Sequence, residues 1–263
     1  MIFPDASRVL YERNTLQTVV CQLRFPQILR IEADEPVAFQ ERIRAEYPIL
    51  TTRAQLDLAG ALPEQVAKLV GESLPLSIRQ GRAYDFASSD AKWQATLAGT
   101  FIALTATRSY VRWDDFKNRL TPLVNAVIEI YQPPFFSRIG LRYQNLVLRS
   151  ALGLSGVPWR ELIQSHVAGE LASSVEEAAV EGITTAVQFR FDGGAKLVLR
   201  HGLVQAVGSG EDGYVLDADF FTEDRTEVTH AIERLEDFNR EARRLLRWCI
   251  TERLHHAMGP RSL

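Results

Sequence analysis

The stretch RIGLRYQN, Arg138 to Asn145, decides how this chain is read. Its residues alternate with a period of two. Ile139, Leu141, Tyr143 and, further on, Val147 fall on one side of an extended chain. Arg138, Gly140, Arg142 and Gln144 fall on the other. Alternation of this kind predicts a strand with one face in a core and one facing water. The wet face carries two arginines and no carboxylate of its own, so it either finds its counter-charges on another strand or offers the arginines to an anion.

Working outward, FFSRIGLRYQNLVLRS (135–150) reads as one strand. Pro133-Pro134 ends the element before it, WDDFKNRLTPLVNAVIEIYQ (113–132). That segment reads as a long helix with Phe116, Leu120, Leu123, Val124, Val127 and Tyr131 on one face. Asp114 and Asp115 suit its N-terminus, and Pro122 is expected to kink it or mark its first turn. Upstream, LQTVVCQLRFPQILRI (16–31) alternates as a strand that Pro26 ends or kinks, and EPVAFQERIRAEYPIL (35–50) reads as a helix with Phe39, Ile43 and Tyr47 as its stripe. LPEQVAKLVGE (62–72) reads as a short helix. RAYDFASSD (82–90), KWQATLAG (92–99) and TFIALTATRSYVRW (100–113) read as three hairpin-linked strands.

Downstream the order repeats. VPWRELIQSHVAGEL (157–171) reads as a helix. GITTAVQFRFDGG (182–194) and AKLVLRHGLVQAV (195–207) are strands joined through Asp192-Gly193-Gly194, and GYVLDADFFTE (213–223) is a third. EVTHAIERLEDFNREARRLLRWCITERLHHAMG (227–259) reads as one long amphipathic helix stopped by Gly259-Pro260. Three anchors superimpose the halves. Leu23-Arg24-Phe25 falls on Leu141-Arg142-Tyr143, Val37–Ile43 falls on Val157–Ile163, and Asp115-Phe116 falls on Asp237-Phe238. The offset stays at about 120 residues throughout, as an internal repeat requires. The expected fold is α+β: two tandem β-α-β-β-β-α units, 1–134 and 135–263, related by a pseudo-twofold, with antiparallel sheets covered by long helices in one compact two-lobed protein.

Composition narrows the function classes. The 263 residues are 46% hydrophobic and 24% charged, ordinary globular values, and the net charge of −3 advertises neither nucleic acid nor an anionic membrane. No window approaches about 18 uninterrupted apolar residues, so no membrane span is expected. Cys21 and Cys249 stand far apart without a C-x-x-C pattern, which fits a reducing, cytoplasmic setting.

The segments RIGLRYQN (138–145), LQTVVCQLRFP (16–26), YVRWDDF (110–116) and DFNREARRLLRWCIT (237–251) together resemble an uncharacterised bacterial protein family, described as sporadically distributed and without assigned activity. The resemblance covers nearly the whole chain and brings no catalytic residues. It implies a prokaryotic cytoplasmic protein of patchy occurrence, a pattern typical of toxin–antitoxin and phage-defence genes.

Motifs of known chemistry are missing from the sequence. His166, His201, His230, His255 and His256 form no H-E-x-x-H and no zinc spacing with cysteine. There is no nucleophile elbow, Walker A loop or dinucleotide fingerprint, and no cofactor is expected. By strand parity and helix face, both cysteines read as buried and structural. Asp217 and Asp219 share one strand face and suit a cation or a basic group. The candidate binding residues are Arg24, Arg138, Arg142 and Arg190, which can present one face to an anion, an acidic peptide or RNA, or can pair with carboxylates as the polar side of a two-sided sheet. The reading adopted is a non-enzymatic binding or regulatory protein, antitoxin-like or defence-associated, that sequesters a protein partner. RNA binding is the second reading. The third is a small-ligand pocket under a helix, lined by Trp93, Phe101, Phe116 and Tyr131.

Overall fold

The computed structural model describes residues 2–56, 80–206 and 210–262. Its strands are β1 (Val9–Tyr11), β2 (Leu16–Arg24), β3 (Ile49–Leu56), β4 (Gln80–Ala87), β5 (Trp93–Ala98), β6 (Phe101–Thr107), β7 (Arg138–Leu148), β8 (Thr185–Arg190), β9 (Lys196–Gln205), β10 (Asp212–Thr222) and β11 (Pro260–Ser262). Its α-helices are α1 (Leu29–Ala33), α2 (Val37–Ile43), α3 (Trp113–Tyr131), α4 (Ser165–Ala168), α5 (Ala231–Cys249) and α6 (Glu252–Ala257). The helix read at 62–72 lies outside the described residues.

The architecture is α+β. Nine strands form one antiparallel sheet in the order β3-β4-β5-β6-β2-β7-β10-β9-β8. β2 and β7 pair at its middle, with Cys21 opposite Leu141 and Gln22 opposite Gly140. The chain leaves β2 for one edge and meanders back through β4, β5 and β6. It leaves β7 for the other edge and meanders back through β9 and β10. β1 and β11 pair separately and bring the two ends of the chain together.

The alternation in RIGLRYQN has the consequence read from it. Ile139, Leu141, Tyr143 and Val147 are buried, as are Val19, Cys21 and Leu23 across from them. α3 and α5 cover this face, α3 against β6 and α5 against β7 and β10. Fully burying side chains of this size stabilises by about 1.5–3 kcal/mol each. Tyr143 Oη donates to Asn239 Oδ1 at 3.0 Å, tying α5 to the central strand. Asn145 is buried too, and its Oδ1 accepts from Thr15 Oγ1 at 2.9 Å. Trp113 and Phe116 stack at 5.9 Å in the first turn of α3. Pro122 lies inside α3, which begins nine residues earlier at Trp113, so it does not mark the first turn.

Several boundaries differ from the sequence reading. The helix expected over 157–171 is replaced by a single-turn 3-10 helix, Trp159–Glu161, then α4 and a second 3-10 turn, Gly169–Ala172. The chain between them is captured by its neighbour: Ile163 bridges Ile250, Gln164 N–H donates to Cys249 O, and Thr251 N–H donates to Leu162 O. The same bridge breaks the C-terminal helix expected over 227–259. Ile250 is extended, and Thr251 restarts a helix by accepting from Leu254 N–H. The helix expected over 35–50 closes at Ile43, although Phe39, Ile43 and Tyr47 are all buried. The strand expected to end or kink at Pro26 stops at Arg24, and α1 follows.

The third reading placed Trp93, Phe101, Phe116 and Tyr131 around one cavity. Phe101 pairs with Arg24 and so lies on the opposite face of the sheet from Trp93, which packs on Phe116 at 5.8 Å. Phe101 belongs instead to a small separate cluster with Ala83, Ala98 and Ala103. Among the described residues, no helix is long and apolar enough to cross a membrane.

Candidate functional site

The second face of the sheet carries the arginines. Register puts Arg24 directly opposite Arg138, and Val20 opposite Arg142. Continuing across β10, β9 and β8, the row through Gly140 runs to Phe221, Lys196 and Arg190. Arg24, Arg138, Arg142 and Arg190 therefore share one face. The first three lie together on β2 and β7, and Arg190 stands three strands from β7, about 14 Å away at normal strand spacing. It is exposed on the edge strand.

Two carboxylates reach the central arginines. Arg142 Nε donates to Asp217 Oδ1 at 2.7 Å and Nη2 donates to Oδ2 at 2.6 Å, a two-pronged pair. Arg142 remains 42% exposed while Asp217 is only 8% exposed. Arg138 Nη2 donates to Asp219 Oδ2 at 3.0 Å and Nη1 donates to Gln22 Oε1 at 3.4 Å. Both partners lie diagonally, because Asp219 stands opposite Arg142 and Asp217 opposite Gln144. Each arginine leans along β7 in the same direction. The lean also moves the Arg138 guanidinium away from Arg24, its like-charged register partner.

Gly140 makes that lean possible. A Cβ at this position would fall 2.3 Å from Arg138 Nη1. The guanidinium thus lies over the bare glycine, with the Phe221 ring 4.8 Å from its central carbon. Lys196 shares the same ring at 5.8 Å and pairs with Glu223 at 2.8 Å. Burial pushes the Asp219 carboxyl above its ordinary range, and Arg138 and Arg142 pull against that rise. The hydrogen bonds that Arg142 donates to Asp217 hold its guanidinium above its ordinary range.

Other chemistry-bearing groups are quiet. Cys21 and Cys249 are buried, and burial pushes both thiols up, Cys249 to about 12, so neither supplies a thiolate near neutral pH. His201 is buried in the core face, where its Nδ1 lies 2.9 Å from Tyr214 Oη. Among the described residues no three His, Cys, Asp or Glu side chains cluster as a metal site would need.

Strand parity brought out the arginines and the Asp217/Asp219 pair separately. It gave no register, so it could not join them. The parts that Gln22, Gly140 and Phe221 play around Arg138 were hidden for the same reason. The usable signal was a glycine flanked at two residues on either side by arginines of the same strand face. No family model, curated protein or solved structure matches this chain.

Proposed function

We propose that the protein acts by binding rather than by catalysis, and that the open face of β2, β7, β10, β9 and β8 receives an acidic protein partner in an antitoxin-like or defence-associated role. The observation that supports this reading is a surplus of cations. Arg24, Arg138, Arg142, Arg190, Lys196 and Arg200 share this face by register, against Asp217, Asp219 and the Glu223 that pairs with Lys196. The chain as a whole carries −3, so the face opposes the net charge. Such a patch steers an acidic surface into register. The Arg138 and Arg142 pairs fix the centre of the face, and Arg190 at its exposed edge is available for contact. RNA fits less well, because the central aromatic, Phe221, already carries Arg138 and Lys196 on its ring.

The test is affinity purification of the tagged chain from its native cells, beside an Arg190→Glu/Arg200→Glu variant shown by circular dichroism to be folded. A protein partner recovered in stoichiometric yield with the wild type and lost with the variant supports the reading. A wild-type chain that runs alone at its monomer mass, or a partner held equally by both, overturns it. Recovery of RNA that is stripped by salt favours the nucleic-acid alternative.

We infer also that 1–134 and 135–263 are duplicated units about a pseudo-twofold. The superposition that maps Arg24 on Arg142 makes Gln22 equivalent to Gly140, and these two are direct register partners at the sheet's middle. Each unit supplies one central strand, a returning meander and a long covering helix, which is the arrangement such an axis requires.

A further inference from the structure

A second place of interest lies on the helix-covered side of the molecule, away from the sheet's arginine face. A groove of about 520 Å³ runs between the N-terminal residues Pro4–Val9, the last turns of α5 and α6. Its polar lining includes His166, Arg244, Arg247 and His255, and Trp248 forms an apolar wall. Trp248 is held by Phe3 at 5.2 Å and Phe189 at 6.1 Å, and the exposed His166 ring lies 4.1 Å from it.

The cations of this region are unequally satisfied. Arg244 is buried and pairs with both Asp5 and Glu241. Arg247 contacts Glu252, a carboxylate that is 70% exposed, through Nη2. Its Nη1 is enclosed and makes no hydrogen bond. An exposed ion pair of this kind contributes little, so a better oxyanion can replace Glu252 at Nη2. His255 Nδ1 lies 2.8 Å from Tyr11 Oη, which leaves its other nitrogen for the groove.

We propose that this groove binds a small oxyanion ligand, its phosphate or carboxylate head on Arg247 with His166 and His255 beside it, and its planar or apolar body against Trp248. A guanidinium gives a tetrahedral or planar oxyanion two parallel donors, and an indole face accepts a ring by stacking. The site is separate from the sheet face and stands whether or not a protein partner binds there.

The experiment is titration of the full chain with inorganic phosphate, adenosine 5′-monophosphate and benzoate, followed by calorimetry and tryptophan fluorescence. Saturable binding is expected at about millimolar Kd or tighter for the better head group, with the ring-bearing probe ahead of phosphate alone or benzoate the strongest of the three. The phosphate and carboxylate arms identify the head. Arg247→Ala should weaken binding about tenfold or more. Arg247→Lys keeps the charge and the contact with Glu252, so it guards against misfolding, and it should still lose several-fold because the fork is gone. His166→Ala, at an exposed position, should weaken the ring-bearing probes more than phosphate. Arg53→Ala, on the far edge strand, should change nothing. The proposal is overturned if none of the three probes binds saturably, or if Arg247→Lys and His166→Ala both bind as wild type. Inorganic phosphate binding as tightly as both ring-bearing probes would remove the role of Trp248.

Discussion

Removing Arg142 should destabilise the protein more than removing its partner Asp217, and the structure supplies the size of the difference. In Arg142→Ala the Asp217 carboxylate, 8% exposed, loses both of its charge-assisted hydrogen bonds and stays buried. Breaking a fully buried pair in this way costs about 3–5 kcal/mol. Arg142 is 42% exposed, and solvent at that end screens the pair, so about 2–3 kcal/mol is expected here. In Asp217→Ala the stranded group is the arginine, which can turn into water, and the loss should be about 1 kcal/mol. The double variant should be less destabilised than the sum, by a coupling of about 1–2 kcal/mol, since the two residues touch. Urea denaturation of the four proteins at pH 7, with thermal melts in parallel, reads these values. A loss of 2–3 kcal/mol corresponds to a Tm drop of roughly 5–10 °C for a chain of this size. The reasoning fails if Asp217→Ala is the more damaging change. It fails also if Arg142→Ala lies within about 0.5 kcal/mol of wild type, which is the ordinary range for an unneeded surface residue. Arg142 would then be held for a partner and not for the sheet.

Three further outcomes follow from particular contacts. Gly140→Ala puts a Cβ where the Arg138 guanidinium lies, so it should cost about 0.5–1 kcal/mol net, the lost Asp219 contact outweighing the gain from replacing a strand glycine. In an Arg138→Ala background the same change should become stabilising, and an unchanged sign in denaturant melts would show that Gly140 serves some other purpose. His201 is buried and its protonation is disfavoured, so its folded-state pKa lies below the ordinary 6.5. Its contribution is fully present above about 6.5 and is lost as pH falls through the folded value, because the unfolded chain binds the proton first. His201→Gln should therefore show a shallower loss of stability than wild type between pH 7.5 and 5.5, and parallel slopes would contradict this. Finally, β1 pairs with β11 and places the two ends side by side, so a circular permutant opened between Pro133 and Pro134, with the old ends joined by a short Gly/Ser linker, should fold with the wild-type circular dichroism spectrum and one cooperative transition. Insoluble or molten product would argue against two equivalent units.

Much of the outline was present in local pattern. The period of two in 138–148 and 16–24 identified the central strands and the side that faces the core, because a pleated chain sends alternate residues to opposite faces whatever it pairs with. The helical period in 113–131 did the same for α3. Both cysteines were assigned correctly to the interior on this basis alone.

Local pattern failed where a distant segment captured the backbone. Residues 157–171 have a helix's composition, yet the bridge between Ile163 and Ile250 takes hydrogen bonds that a helix would keep for itself, and it splits two expected helices at once. Phe101 was placed in a pocket under the long helix, whereas register with Arg24 turned it to the other face. The four arginines illustrate the division most clearly. Sequence alone determined that Arg138 and Arg142 stand on the wet side of a strand, since that follows from spacing. Which carboxylates meet them depended on β7 and β10 pairing with Asp219 opposite Arg142, and on Gly140 leaving space for a guanidinium to lie along the strand. Register is fixed by the fit of whole strands and their buried faces, a long-range property no single stretch contains. The tertiary structure therefore decided that these arginines pair diagonally with Asp219 and Asp217 across the sheet, and that a guanidinium with an enclosed, unpartnered nitrogen, that of Arg247, lies near the end of α5 instead.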